Sequence, residues 1–282
     1  MPSFLSLVLA GVLWGTGGII GSLLADASGA SSVAIAAYRL FLGGAVLAAI
    51  ELVRRSRITN ALNRILLTGV IAAVFQGCYF AAVASGDVAS ATLVTIGSAP
   101  VIVTVVDAVR RRTIPGAIIW VRLVLGIGGL ALLVGGTPSG VTSTLFALAS
   151  GAAFATFTML GRRPLSAGVE QSVVTAWGFV VGGALLFALA AVGPGAGLEL
   201  SSESVSLLVL FALVPTALAY SLFFRGLRGA SAATATLVAL LEPLTATVLA
   251  VLILRDPVTV AMVIGAILLL LSIGLAGRKE PR

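Results

Sequence analysis

Leu40-Phe41-Leu42-Gly43-Gly44-Ala45-Val46-Leu47 returns 139 residues later as Phe179-Val180-Val181-Gly182-Gly183-Ala184-Leu185-Leu186. Both copies lie inside long apolar runs. A hydrocarbon core of about 30 Å takes on the order of 20 helical residues to cross. Further matches keep the same order: Ala91-Thr92-Leu93-Val94 recurs as Ala235-Thr236-Leu237-Val238, Pro100 pairs with Pro243, and Gly11 and Trp14 pair with Gly151 and Phe154. Working outward from these anchors, the 282-residue chain divides into ten apolar stretches. They run over 3–24, 33–53, 64–84, 90–109, 116–134, 141–160, 172–192, 205–224, 232–253 and 258–276. Five helices per half is an odd number, so the second half enters the membrane from the opposite side. The expected fold is all-α and integral to a membrane: ten transmembrane helices in two inverted five-helix repeats, 1–139 and 140–282, around a central cavity. In such a duplication a site on the pseudo-two-fold can open to each face in turn.

The connections alternate in charge. Of 17 Lys and Arg residues, 14 occupy every second connection or the C-terminal tail: Arg54, Arg55, Arg57 and Arg64; Arg110, Arg111 and Arg112; Arg162 and Arg163; Arg225 and Arg228; Arg278, Lys279 and Arg282. The other connections carry Asp26, Asp87, Glu199, Glu203 and Asp256, with Arg255 as their only basic residue. Cationic loops stay cytoplasmic during insertion, which predicts a multi-pass protein with both termini in the cytoplasm. At 59% hydrophobic and 10% charged residues, a soluble globular domain is excluded. The formal charge of +7, spread over these loops, reads as topology and contact with anionic lipid, not as nucleic-acid binding. With no histidine and one cysteine, Cys78, neither a disulfide framework, a histidine triad nor a His-ligated metal site is available. No cofactor motif appears. Ala25-Asp26-Ala27 has the form of a signal-peptidase site, but residues 1–5 carry no positive charge and the run before it is long, so a retained first helix is expected.

An ionisable side chain at mid-bilayer depth costs roughly 2.5–3.5 kcal/mol on insertion scales and so asks for a reason. Glu242 lies about eleven residues from either end of the ninth stretch, roughly 16 Å at 1.5 Å per residue. It precedes Pro243, whose missing N–H loosens the helix. It reads as a carboxylate lining the cavity, or else as a protonated acid bonded to a neighbouring helix. Arg39 either snorkels to the outer interface or turns inward. Arg122 is expected to snorkel, Asp107 to pair with Arg110 and Arg111, and Glu51 to pair with Arg54 and Arg55 at the surface. Tyr38, Gln76, Tyr79, Trp177 and Tyr220 fall well inside the spans, where such residues face protein or a cavity more often than lipid. Tyr38 and Trp177 correspond across the duplication, as do Gln76 and Tyr220. Gly15, Gly17, Gly18 and Gly21, with the two Gly-Gly pairs, suit close helix approach. Pro100 and Pro243 are candidate hinges.

Several of these residues carry a resemblance. Trp14-Gly15, Tyr38-Arg39-Leu40-Phe41, Pro215-Thr216-Ala217-Leu218-Ala219-Tyr220 and Leu241-Glu242-Pro243, with Asp256 thirteen residues beyond Pro243, make the whole chain similar to the drug/metabolite transporter superfamily, specifically its EamA-type exporters. Thr113 stands where the repeat of Asp256 would be acidic, against a mechanism built on symmetric carboxylates. The resemblance implies export of amino acids, aromatic ones included, or similar small metabolites. An amphoteric substrate would place its ammonium at Glu242 and its carboxylate at Arg39, with its side chain among Trp14, Tyr79, Trp177 and Tyr220. The expected protein is a secondary transporter of a bacterial inner membrane, a monomer, with protons as the candidate coupling ion and no enzymatic activity. Drugs or sugar-type metabolites on the same fold are the nearest alternative. An intramembrane enzyme is the alternative from another class, and it would need a second carboxylate or a nucleophile at depth.

Overall fold

The computed structural model describes residues 2–56, 58, 60–135, 140–193, 195 and 197–277. Of the sequence features above, Arg57, Arg278, Lys279 and Arg282 lie outside these residues. The ten expected stretches are helices: α1 (Pro2–Ser28), α2 (Ser32–Val53), α3 (Leu62–Ala84), α4 (Val88–Arg111), α5 (Ala117–Val134), α6 (Val141–Gly161), α7 (Gln171–Ala190), α8 (Ser202–Leu227), α9 (Ala232–Leu254) and α10 (Val260–Ala276). Among the described residues, α1 to α9 are each long and apolar enough to span a membrane, and α10 is an apolar helix of 17 residues. Ala25-Asp26-Ala27 lies within α1. Side-chain oxygens start several helices by accepting a free backbone N–H: Ser31 from Ala34, Asp87 from Ser90, Ser231 from Thr234 and Thr259 from Met262. Ser201 and Ser204 form a reciprocal cap on α8.

Two helices depart from regularity at prolines. In α8, Pro215 cannot donate to the Phe211 carbonyl. The chain widens into a π-helical stretch over Leu213–Leu218, and the Thr216 hydroxyl donates to that carbonyl at 3.0 Å. In α9, helical pairing breaks at Ala239 and Leu240, and a second half-helix starts at Leu241, so that Glu242 and Pro243 stand in its first turn. Proline is well tolerated in a first helical turn, and here it keeps a donor away from the Ala239 carbonyl. By contrast, α4 remains α-helical through Pro100. Thr104 donates to the Pro100 carbonyl at 2.8 Å, and Thr247 does the same to Pro243 at 2.9 Å, one detail repeated in both halves.

Packing follows the duplication. α2 packs on α7 and α5 on α10, each pair made of equivalent helices; α1 packs on α8 and α9 as α6 packs on α3 and α4. Small residues make the approaches possible. A Cβ added at Gly11 would lie 3.0 Å from the Val238 carbonyl of α9, and one at Gly151 would lie 2.6 Å from the Thr95 carbonyl of α4. Likewise Gly44 meets the backbone of α7 and Gly183 that of α2. The outward faces are apolar, as at Leu252, Ile253, Ile267, Leu270 and Leu271, all more than half exposed. This greasy exterior and small-residue interior is the pattern of a helical bundle dissolved in lipid.

Two expectations about charged residues are corrected, and a third holds only in its pairing: Glu51 does pair with Arg54. Arg122 does not reach outward: it is buried in α5, where Ser272 of α10 donates to its carbonyl at 2.7 Å. Glu51 is buried rather than superficial, because the chain folds back over it: Ser56 donates to its carboxylate at 2.6 Å and Arg54 approaches to 3.3 Å. Asp107 makes no ion pair with Arg110 or Arg111 among the described residues.

Candidate functional site

A cavity of about 450 Å³ opens between the two repeats, within the usual range for small-molecule sites. Its floor is formed at mid-depth by Trp14 of α1, Gln76 of α3, Phe154 of α6, Tyr220 of α8 and Glu242 of α9. From there it runs up to Asp26, Ser32, Val83 and Val88, at the ends of α1 to α4 that carry the acidic connections. One wall is the face of α1 formed by Gly18, Gly21, Ser22 and Ala25. The facing wall is α3 and α4, with Tyr79, Phe80, Thr92 and Thr95. Tyr79 and Thr92 share a hydrogen bond of 2.9 Å between their hydroxyls, and Thr95 donates to the Ala147 carbonyl at 3.2 Å.

Besides Asp26 at its mouth, two side chains of opposite charge face this space at depth. Arg39 of α2 holds its guanidinium carbon 5.0 Å from the centre of the Phe211 ring, a cation–π contact that fixes the head without neutralising it. Glu242 is placed by the break in α9, in the first turn of the second half-helix. Among the described residues neither side chain makes an ion pair or a hydrogen bond with the protein. The arrangement therefore offers one anion station and one cation station to whatever fills the cavity.

Toward the basic connections the path is closed by aromatic rings. Trp14 meets Tyr220 and Phe223 with centroids 5.0 Å away in both cases. Phe157 stands 5.3 Å from Phe224, and Phe179 stands 4.6 Å from Tyr220 at 89°. The Trp14–Tyr220 and Phe179–Tyr220 pairs are edge-to-face, a packing that adds about 0.5–1.5 kcal/mol per pair beyond burial. A residual void of about 10 Å³ remains beside the equivalent pair Gln76 and Tyr220. The bundle is thus open toward the acidic connections and shut toward the basic ones.

Of the sequence candidates, Glu242, Arg39, Trp14, Gln76, Tyr79 and Tyr220 line the cavity. Tyr38 and Trp177 do not. Tyr38 stacks edge-on against Phe187 at 4.7 Å, and Trp177 packs near Ala61, Ile65 and Val174 at the opposite end of the bundle. Depth in the bilayer put both inside the protein, but facing direction was not readable from depth. Sequence reasoning missed Phe211, an apolar residue with no distinguishing signal. It also took the glycines of α1 together as packing residues. Only part of that holds: Gly15 abuts Thr245 and the Glu242 carbonyl, whereas Gly18 opens into the cavity. The signal was there, since Gly18, Gly21, Ser22 and Ala25 recur at the spacing of one helix face.

Comparisons with known proteins agree with this architecture. The profile of the EamA-like transporter family matches residues 1–135 and again residues 141–278. The chain is 29% identical over 284 residues to the uncharacterized transporter YwfM of Bacillus subtilis, covering 98% of this chain and 95% of the relative. It is 26% identical to the uncharacterized inner membrane transporter YicL of Salmonella typhimurium, covering 99% and 97%. A crystal structure with 20% identity superimposes with a TM-score of 0.83 over 98% of this chain and 97% of that one, which shows the shared fold. With both halves matched and the ten helices paired as two inverted repeats, the chain belongs to the EamA-like transporter family.

Proposed function

We propose that this transporter is a secondary exporter of amino acids, aromatic ones included, or of closely similar small zwitterions, working by alternating access in a bacterial inner membrane. The observation that carries the reading is the pair Arg39 and Glu242: opposite charges facing one cavity, neither held in an ion pair among the described residues. An α-amino acid supplies the complementary pair, its carboxylate to Arg39 and its ammonium to Glu242, with aromatic surface nearby for the side chain. A phosphorylated substrate would call for several cations, and Arg39 is the cationic side chain among the cavity-lining residues. The charge alternation of the connections supports cytoplasmic termini. In that orientation the cavity faces outward, and the Phe157, Phe179, Tyr220 and Phe224 cluster is the inner gate. Both repeats and the whole cavity lie in one chain, which supports a monomer. The inner membrane is supported by the name of the Salmonella relative.

The test is counterflow in proteoliposomes holding the purified protein, using a panel of labelled amino acids beside a labelled monovalent cationic drug. Amino-acid counterflow above empty liposomes, lost in Arg39→Gln and in Glu242→Gln, is expected. Uptake of the cation alone, unaffected by Arg39→Gln, would replace the amino-acid reading with a drug exporter.

A further inference from the structure

We infer that Gly18 determines which side chains the cavity accepts, and that it is glycine so that large ones, aromatic rings included, can be carried. The inference rests on the amino-acid reading for its substrate class and on the geometry of α1 for its position. Glycine is the poorest helix former after proline, so one in the interior of a 27-residue helix needs a cause. Its neighbours have one in packing. A Cβ at Gly11 would stand 2.9 Å from the Leu241 Cβ, and one at Gly15 would stand 2.7 Å from the Glu242 carbonyl oxygen. Gly18 has no such cause. A Cβ there would meet nothing within 4 Å, and the residue is exposed where it lines the cavity.

Its place relative to the two charges is specific. Gly15, one turn below, lies against the backbone of Glu242. A Cβ on Gly17, the adjacent residue, would be 3.8 Å from Nη1 of Arg39. Gly18 therefore lies on the cavity wall beside the residue nearest Arg39 and one turn above the residue that abuts the Glu242 backbone. In an amino acid the side chain leaves the carbon that joins those two groups. A zwitterion bridging Glu242 and Arg39 projects that side chain into the space that Gly18 leaves open. The trough continues along α1 past Gly21, Ser22 and Ala25, none larger than alanine or serine, with Tyr79 and Phe80 on the facing wall. Every carbon added at position 18 takes up cavity space that the glycine leaves open to the substrate's side chain.

The experiment compares wild type, Gly18→Ala and Gly18→Leu in counterflow of labelled alanine, leucine, phenylalanine and tryptophan. Gly18→Leu is expected to cut phenylalanine and tryptophan about tenfold or more, the scale on which a pocket discriminates by one or more methylenes. Alanine transport should stay within about threefold of wild type. Gly18→Ala should fall between, and it carries the test if Gly18→Leu elutes from a sizing column as aggregate. Equal loss for all four amino acids, or no loss for any, overturns the inference. A second arm does not depend on the substrate. In a Cys78→Ala, Gln76→Cys protein, a thiol at the cavity floor is labelled with N-ethylmaleimide and with the larger fluorescein maleimide. Adding Gly18→Leu should slow the large reagent about tenfold and leave the small one nearly unchanged. If wild type carries no amino acid yet this size filter appears, the amino-acid reading falls and the role of Gly18 as the size gate stands. If both reagents label at unchanged rates, the role of Gly18 falls whatever the substrate proves to be.

Discussion

Gly129 and Gly265 meet reciprocally: a Cβ on Gly129 would lie 2.7 Å from the Gly265 carbonyl oxygen, and one on Gly265 would lie 2.6 Å from the Gly129 carbonyl oxygen. They sit on α5 and α10, the last helix of each repeat, so the contact is the duplication read at a single point. Neither helix lines the cavity. Substitution here should therefore change stability and not selectivity. Gly129→Ala and Gly265→Ala are each expected to cost about 1–3 kcal/mol by overpacking, seen as a lower Tm of the detergent-solubilised protein. The double variant should cost less than the sum, since one added methyl already forces the helices apart. A Tm unchanged in both single variants would show that the helices part freely.

The two equivalent prolines should behave differently. Pro100 sits in an unbroken α4, whereas Pro243 follows the break at Ala239 and Leu240, where Glu242 N–H bonds the Ala239 carbonyl at 2.9 Å. Alanine at 243 restores a donor for that same carbonyl and lets α9 straighten. Pro243→Ala is expected to slow counterflow several-fold with little change in half-saturating substrate concentration. Pro100→Ala should slow it less, because α4 has no break to mend. Equal slowing in both variants would place the hinges symmetrically; unchanged rates in both would remove them.

The fold was legible in the sequence because membrane insertion writes it there twice, in the apolar period and in the loop charges, and because duplication repeats it. The Gly43-Gly44 and Gly182-Gly183 pairs alone located equivalent helices that do pack on each other. What stayed hidden was which way a side chain faces. Tyr38 and Tyr79 have the same depth and chemistry, yet one stacks on Phe187 and the other lines the cavity. Their difference depends on the rotation of α2 against α7 and of α3 against α6, which is set by packing of small residues and leaves no mark in hydropathy. The π-helical stretch around Pro215 illustrates a related gap. The proline was visible, but whether a helix kinks, breaks or widens depends on what takes the freed carbonyl, here Thr216.

Orientation is open to a direct check. Ser166 and Ser202 are both exposed, Ser166 in a basic connection and Ser202 at the start of α8 beside an acidic one. Ser56 is less suited, since its hydroxyl donates to Glu51. In a Cys78→Ala background, Ser202→Cys should react with an impermeant maleimide in intact cells, and Ser166→Cys should react only after the membrane is opened. The reverse pattern would turn the molecule over and make the Phe157 and Phe224 cluster the outer gate.

Glu242 separates a transport site from a structural acid. Its carboxyl lines the cavity and makes no hydrogen bond to the protein among the described residues, so nothing in the packing of α9 depends on its charge. Glu242→Gln keeps the shape and most of the hydrogen-bonding capacity. The folded yield and Tm should stay near wild type. Substrate binding should weaken by about 2 kcal/mol or more, the scale for losing one partner of a desolvated charge pair, or roughly thirtyfold. Arg39→Gln should do the same to a zwitterion but leave a monovalent cation unharmed, while Glu242→Gln should harm both. If the carboxyl also carries the coupling proton, Glu242→Gln removes the titrating group and the pH dependence of transport should flatten with it. Wild-type turnover and an unchanged pH profile in Glu242→Gln would overturn the site. The transporter fold would be untouched, because it rests on the two repeats and their pairing and not on this residue.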